Sequence, residues 1–182
     1  MQRPLLGEPL PIDLLNTRWI AAGHRHDLLD DPVEAAGWLT SWGLPSTPGD
    51  ARAVIDRLKR ARDAIAAHIA APGEGASAGA VNDLLAAGHL RLRLGPNGPV
   101  REAVVQDPAW LPAWTALHAY LELVDEQGGR VRKCANPECV LHFVDATARN
   151  ARRWCSMEAC GNRAKARRHY TRKTTAARGE SR

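Results

Sequence analysis

The spacing of apolar residues predicts a mainly helical body over residues 1–129. In three segments apolar side chains recur every three or four positions, the period that places them on one face of an α-helix. The first segment follows Asp31-Pro32, a typical capped helix start, and ends at Gly43. The second follows Asp50 and the third follows Asp107. The residues expected to face inward are Val54, Leu58, Ala61, Ile65 and Ile69 in the second segment, and Trp110, Trp114, Leu117, Leu121 and Val124 in the third.

A short helix and a hairpin complete the predicted body. Ser77 is expected to cap a helix that carries Val81, Leu84 and Leu85. Apolar and polar residues then alternate over 89–94, a turn rich in Gly and Pro follows at 95–99, and a second extended segment runs over 100–105. This pattern is typical of an antiparallel β-hairpin. The expected fold class is therefore α+β, mainly α, with one hairpin in the body and no internal repeats.

The four cysteines form two Cys-x4-Cys pairs that are separated by fifteen residues near the C-terminus. Each pair can place two thiolates on one tight turn, and the spacer lets both turns meet around a tetrahedral zinc ion. Disulfides are the alternative, but they belong to oxidising compartments, and the N-terminus has no apolar run typical of a signal peptide. We therefore predict one structural Zn²⁺, with Cys160 at a helix start. The predicted ligands are Cys134, Cys139, Cys155 and Cys160.

Charge is divided unequally along the chain. Residues 1–129 contain 11 Lys and Arg against 16 Asp and Glu, whereas residues 130–182 contain 14 against 4. A basic C-terminal part attached to an acidic body marks where a polyanion would dock. Four thiolates on Zn²⁺ leave a formal charge of −2, which accounts for two or three of these cations only. The predicted nucleic-acid contacts are Arg149, Arg152, Arg153, Arg163, Lys165, Arg167, Arg168, Arg172 and Lys173.

Several of these cations share one side of a predicted C-terminal helix. On a helix that starts near Gly161, they cover little more than half of the circumference, and Ala166 falls on the side expected to pack against the zinc module. Arginine forks on such a helix can reach guanine O6 and N7 in the major groove of DNA. Trp154 precedes a predicted zinc ligand. We interpret it first as packing over the zinc site, and second as a stacking platform for a base.

Sequence motifs in both parts of the chain resemble known families. Residues 134–139 (CANPEC), 143–145 (FVD), 152–157 (RRWCSM) and 160–165 (CGNRAK) closely resemble the CGNR zinc finger. Residues 12–17 (IDLLNT) and the pattern DPVE…WL…GL over 31–44 resemble the ABATE domain, which usually precedes that finger. The resemblance implies a bacterial, zinc-containing, stress-related transcription regulator whose four cysteines bind the metal. In place of the family's serine-containing turn, Asp145 is followed here by a turn in which Thr147 carries the hydroxyl.

These observations predict two domains and a tail. The ABATE-like body is expected over residues 1–129, a treble-clef-like, nucleic-acid-binding zinc module over 130–175, and a disordered tail over 176–182. The segment Asp13-Leu14-Leu15-Asn16-Thr17-Arg18 admits two interpretations. We favour a structural role at a helix start. The alternative is a pocket for a small-molecule effector, lined by Asp13, Asn16, Thr17 and Arg18. His24 and His26 are interpreted as solvated residues of a polar loop rather than as a metal site.

We expect a DNA-binding regulator and no enzyme. The metal pattern uses all four cysteines, so none is left as a nucleophile to pair with His142 or His169, and common catalytic motifs are missing. An RNA-binding accessory protein and a protein–protein adaptor with an acidic partner are the alternatives. No stretch approaches the ~20 apolar residues of a membrane span, so a cytoplasmic location is expected. A homodimer through the hairpin or the tryptophan-bearing helix is compatible with the sequence.

Overall fold

The computed structural model describes residues 3–45 and 50–167. In this part of the chain the helices are α1 (Leu10–Leu15), α2 (Pro32–Ser41), α3 (Ala51–Ala70), α4 (Gly75–Leu85) and α5 (Leu111–Gln127). The strands are β1 (Arg18–Ala21), β2 (His24–Asp27), β3 (Gly88–Gly95), β4 (Gly98–Val105), β5 (Val131–Lys133) and β6 (His142–Val144). Short 3₁₀ turns cover Leu28–Asp30 and Pro108–Trp110, and a π-helical turn, Met157–Gly161, leads into a helical segment over residues 162–167. The predicted fold class, α+β and mainly α, is confirmed.

Helix α3 is the centre of the core, and α1, α2, α4 and α5 pack around it. Its predicted inward face is confirmed, because Val54, Leu58 and Ile65 are buried on it. The predicted face of α5 is partly wrong, since Leu121 and Val124 are 43% and 37% exposed. Trp114 and Leu117 are buried as predicted, and the other buried residues of α5 are Pro112, Ala113, Ala116, Tyr120 and Leu123. The small side chains of Ala113 and Ala116, both fully buried, allow close packing of α5 in the core.

The predicted helix starts at Asp31 and Asp50 are confirmed. The Asp31 carboxylate accepts hydrogen bonds from the backbone N–H groups of Val33 and Glu34. Asp50 caps α3 in the same way. The prediction for Ser77 is wrong, because α4 begins at Gly75 and the Ser77 hydroxyl donates instead to carbonyl oxygens in the preceding turn. That hydroxyl therefore closes the connection between α3 and α4.

The body contains a second hairpin besides the predicted pair β3–β4. Strands β1 and β2 pair antiparallel around a two-residue turn in which Ala22 and Gly23 have φ of 51° and 80°. Positive φ at both central residues is the conformation of a tight hairpin turn. His24 and His26 consequently lie on β2 and not in a loop, and the His26 ring stacks on Trp19 with 5.2 Å between centroids.

A third antiparallel pair, β5–β6, joins the C-terminal residues to the body. The side-chain amide of Asn16, at the end of α1, donates to the carbonyl oxygen of His142 and accepts from its N–H, both at 2.9 Å. Glu8 accepts a further bond from the N–H of Val144 at 2.8 Å. These side chains take the place of a neighbouring strand along β6. They fix the position of the cysteine-containing region against α1.

No helix in the described ranges is both long and apolar enough to cross a membrane.

Candidate metal centre and its basic surroundings

The four cysteine thiols meet at one buried point. Their Sγ atoms all lie within 4.8 Å of one another, and none forms a disulfide. The Sγ of Cys155 lies 3.8 Å from that of Cys139 and 3.6 Å from that of Cys160. A tetrahedral Zn²⁺ with bonds of about 2.3 Å separates its sulfur ligands by about 3.8 Å. The thiol set therefore fits one zinc ion with four protein ligands, which is the geometry of a structural site.

The four cysteines lie on two tight turns. In the first, the backbone N–H of Cys139 donates to the carbonyl oxygen of Asn136, and the Asn136 side chain donates to the Sγ of Cys160 at 3.4 Å. In the second, Ser156 caps the π-helical turn that carries Cys160. The N–H of Cys155 points at the Sγ of Cys134 at 3.5 Å. Such N–H···S contacts stabilise thiolates and hold the ligands in place.

Without a cation, the cluster cannot carry four thiolates. A hydrogen bond from Cys155 lowers the pKa of Cys139 to about 5, and the same contact together with burial raises the pKa of Cys155. Burial also raises the pKa of Cys134. A divalent ion allows all four sulfur atoms to be ionised together, because it replaces the thiol protons with metal–sulfur bonds.

Residues on both sides of Cys160 in the chain pack around the metal centre. A Cβ atom on Gly161 would lie 2.7 Å from the Sδ of Met157, so the glycine permits close contact there. Trp154 packs against the core, with the Arg153 guanidinium 5.3 Å above its ring centroid. This geometry favours the packing role of Trp154 over the stacking role. Arg163 donates to the carbonyl oxygen of Ala159 at 3.1 Å and points at the Sγ of Cys160 at 3.9 Å.

Asp145 organises the loop between the two cysteine pairs. Its carboxylate is fully buried and accepts from the Thr147 hydroxyl at 2.6 Å, from the Thr147 N–H at 2.9 Å and from the Arg152 N–H at 2.7 Å. Burial would raise its pKa, but these donors hold the pKa below its ordinary value. Thr147 therefore supplies the hydroxyl that the family's serine-containing turn implies.

Arg152 is placed differently from the prediction of a nucleic-acid contact. Its guanidinium turns into the module and donates to the carbonyl oxygens of Trp154 at 3.0 Å and Cys155 at 2.5 Å. It also lies 4.3 Å above the centroid of the Phe143 ring. The second cysteine turn leaves these carbonyls without backbone partners, and Arg152 satisfies them.

The other predicted contacts that the structure describes lie at the surface. Arg149, Arg153, Arg163, Lys165 and Arg167 are exposed, and Arg167 forms an ion pair with Glu138 at 2.7 Å. In the helical segment over residues 162–167, Ala164 is half-buried and Ala166 is exposed, so the face that packs against the module differs from the predicted one. Three predicted contacts lie outside the described residues, namely Arg168, Arg172 and Lys173.

The four residues predicted to line an effector pocket do not meet in one. Asp13 accepts from the indole N–H groups of Trp38 at 2.8 Å and Trp42 at 2.9 Å. Asn16 pairs with the backbone of β6, and the Thr17 hydroxyl donates to the carbonyl oxygen of Leu14. Arg18 alone of the four lines the cavity between the hairpin β1–β2, α3 and the pair β5–β6. The predicted helix start in this segment is wrong, because α1 begins at Leu10 and ends at Leu15, so the segment contains the buried end of the helix.

Comparison with known families assigns both parts of the chain. A model of the CGNR zinc finger matches residues 130–173 and includes all four clustered cysteines. A model of the ABATE family, described as "Putative stress-induced transcription regulator", matches residues 8–127. A comparison with curated proteins finds no match. The finger and its thiol cluster together identify the cofactor as one structural Zn²⁺. Since the second model covers more than half of the chain, the protein belongs to the ABATE family, and it carries a CGNR zinc finger.

Proposed function

We propose that this protein is a cytoplasmic regulator of transcription that binds duplex DNA through its CGNR zinc finger. The observation that carries the proposal is the set of exposed cations on a small module whose backbone is held by a metal centre. The family description supports a regulatory role. With four protein ligands, the zinc has no open position for water, so its role is structural and not catalytic.

The geometry divides the cations of the module into two groups. Arg152 and Arg163 make hydrogen bonds inside the finger. Arg149, Arg153 and Lys165 are exposed and form no ion pair with any described residue. These three side chains can contact phosphates without losing a hydrogen bond or an ion pair within the described part of the protein. We infer that they supply part of the backbone contact, which positions the protein without reading the sequence of the DNA.

The proposal is tested by fluorescence anisotropy of the zinc-loaded protein with random duplex DNA over a salt series. If five to seven cations touch phosphates, the log–log slope of affinity against salt is about −5 to −6. Changing Arg149, Arg153 and Lys165 together to alanine is expected to make the slope shallower by about three. The matched control is Arg93→Ala, which removes an exposed cation of the body hairpin and should leave the slope unchanged. Absence of binding at low salt would overturn the proposal.

Competition experiments distinguish duplex-DNA binding from the two alternative functions. Preferential displacement of the duplex by single-stranded RNA would favour an RNA-binding accessory protein. Salt-insensitive association with an acidic protein, without nucleic-acid binding, would favour an adaptor.

Arg149 and Arg152 provide a contrast between a surface cation and an internal one. We expect Arg149→Ala to make the salt slope shallower by about one and to leave the free energy of unfolding unchanged. We expect Arg152→Ala to lower the free energy of unfolding by about 1–3 kcal/mol, because carbonyl groups of the second cysteine turn lose their donor. The folded Arg152 variant should keep the wild-type slope. Urea denaturation measures the change in stability, and the anisotropy series measures the change in slope. A destabilised Arg149→Ala together with a shallower slope for Arg152→Ala would contradict the distinction between surface and internal cations.

A further inference from the structure

A cavity of about 750 Å³ lies where the body meets the zinc module. The hairpin β1–β2 and helix α3 line the cavity on the side of the body. Strand β5 and the start of β6 line it on the side of the zinc module. Its volume is within the range of about 300–1,000 Å³ that is typical of small-molecule sites. The centre of the zinc cluster is a separate site, because no cysteine lines the cavity.

Polar atoms without a partner surround this cavity. In the described part of the chain, seven buried side-chain nitrogen or oxygen atoms have no hydrogen-bond partner, and five of them belong to cavity-lining residues. These five atoms are Trp19 Nε1, His26 Nε2, Arg62 Nε, Arg132 Nε and His142 Nδ1. The indole and guanidinium nitrogens can only donate. These atoms are covered by neighbouring groups, so they do not contact the contents of the cavity directly, but they make its wall rich in donors that lack acceptors.

The charge around the cavity is positive. Five cations line it, against the carboxylates of Asp27 and Asp30. Asp27 is already held by Arg62 at 2.6 Å, and Asp30 by Lys59 at 2.6 Å. Burial would raise the pKa of Asp27, but hydrogen bonds from Arg62 and Arg18 keep it below its ordinary value. Three lining cations make no ion pair with a described carboxylate, namely Arg25, Arg132 and Lys133.

The rest of the lining is apolar or neutral. Ile20, Ile69, Val131 and Val140 provide hydrocarbon surface from both sides of the cavity. Burial lowers the pKa of His142 to about 4, so its ring is neutral near pH 7. A fully hydrated ion such as free phosphate would leave this apolar surface unused. The lining therefore suits a molecule with both an anionic group and an apolar body.

We propose that this cavity binds a small organic anion, a carboxylate or phosphate ester with an apolar body. The cations Arg25, Arg132 and Lys133 attract the anionic group, and the aliphatic side chains contact the remainder. Because Arg25 belongs to the body and Arg132 to the zinc module, the ligand contacts both parts of the chain at once. The inference does not depend on nucleic-acid binding, and its test uses no nucleic acid.

The test uses 2-naphthoate as the anionic probe and 2-naphthylmethanol as its uncharged analogue, with the zinc-loaded full chain. Isothermal titration calorimetry gives the affinities, and ¹H–¹⁵N spectra follow the indole N–H of Trp19 in the cavity wall and the Nε–H groups of the lining cations Arg25 and Arg132. We expect naphthoate to bind saturably, at least about tenfold more tightly than the alcohol, and to shift these side-chain signals. Equal affinities, or no saturable binding of naphthoate, would overturn the proposal.

Two variants change residues on opposite sides of the cavity. Arg132→Met removes a lining cation from the module, and Arg25→Met removes an exposed cation from the body hairpin. We expect each to weaken naphthoate binding, the first by about tenfold. Arg93→Met is the matched control, since it removes a cation from the other hairpin and should bind as wild type. Zinc content and circular dichroism verify that each variant is folded. Unchanged binding in both cavity variants would contradict the assignment.

Discussion

Removing the zinc ion is expected to unfold the CGNR module and to loosen its contact with the body. The four thiols are buried together, and only a cation allows all of them to be ionised. Zinc-binding free energies of finger modules are about 10–16 kcal/mol, so loss of the ion removes most of the folding energy of a module of this size. Because α1 contacts β6 through Asn16, the loss should also increase amide exchange in α1.

Cys155→Ser is the direct variant for this prediction, and Met157→Leu is its matched control. Cys155 is a buried member of the cluster, whereas Met157 lies two residues away and is 52% exposed. Metal analysis should find about one zinc ion per chain in wild type and in the control, and almost none in Cys155→Ser. Urea denaturation and hydrogen exchange, with reductant present, then compare the proteins. A zinc-free variant that unfolds like wild type would contradict a structural metal.

Replacing Asn16 with alanine is expected to lower the free energy of unfolding by about 2–6 kcal/mol. The substitution leaves the N–H and the carbonyl oxygen of His142 without partners, and each buried backbone group then costs about 1–3 kcal/mol. The expected loss is large for a side chain without charge, because the amide satisfies a donor and an acceptor at once. Urea denaturation of the zinc-loaded protein measures it.

Thr40→Ala serves as the control for this variant. Its hydroxyl also donates to a backbone carbonyl, that of Ala36, but on the exposed surface of α2, where water can replace the bond. The control should change the free energy of unfolding by less than about 0.5 kcal/mol. Asn16→Ala should still bind one zinc ion, since Asn16 does not contact the thiols. An effect no larger than that of the control would show that the contact between α1 and β6 contributes little to stability.

Local regularities allowed much of the molecule to be predicted. The face of α3 follows from a period of three to four residues that extends over five turns. The zinc ligands follow from paired cysteines at one spacing, because the metal requires that geometry wherever the chain places it. Asp31 and Asp50 were identifiable as caps, since the bonds they make are to residues two and three positions away.

The rest depends on contacts between residues far apart in the chain. The hairpin β1–β2 is short, and its polar second strand resembles a loop; the pair Ala22-Gly23 was its only local signal. The sequence does not distinguish the internal role of Arg152 from the surface role of the neighbouring arginines. The carbonyl oxygens that Arg152 binds become available only after the second cysteine turn has formed. The cavity brings Trp19 and Arg62 next to Arg132, which no sequence pattern indicates.

The pairing of Asn16 with His142 also has a consequence for biosynthesis. The two residues are separated by 126 positions, so α1 leaves the ribosome long before its partner strand has been made. At a synthesis rate of about 5–20 residues per second, the Asn16 amide waits for at least several seconds without its final partner. The junction between body and finger is thus among the last native contacts to form during synthesis.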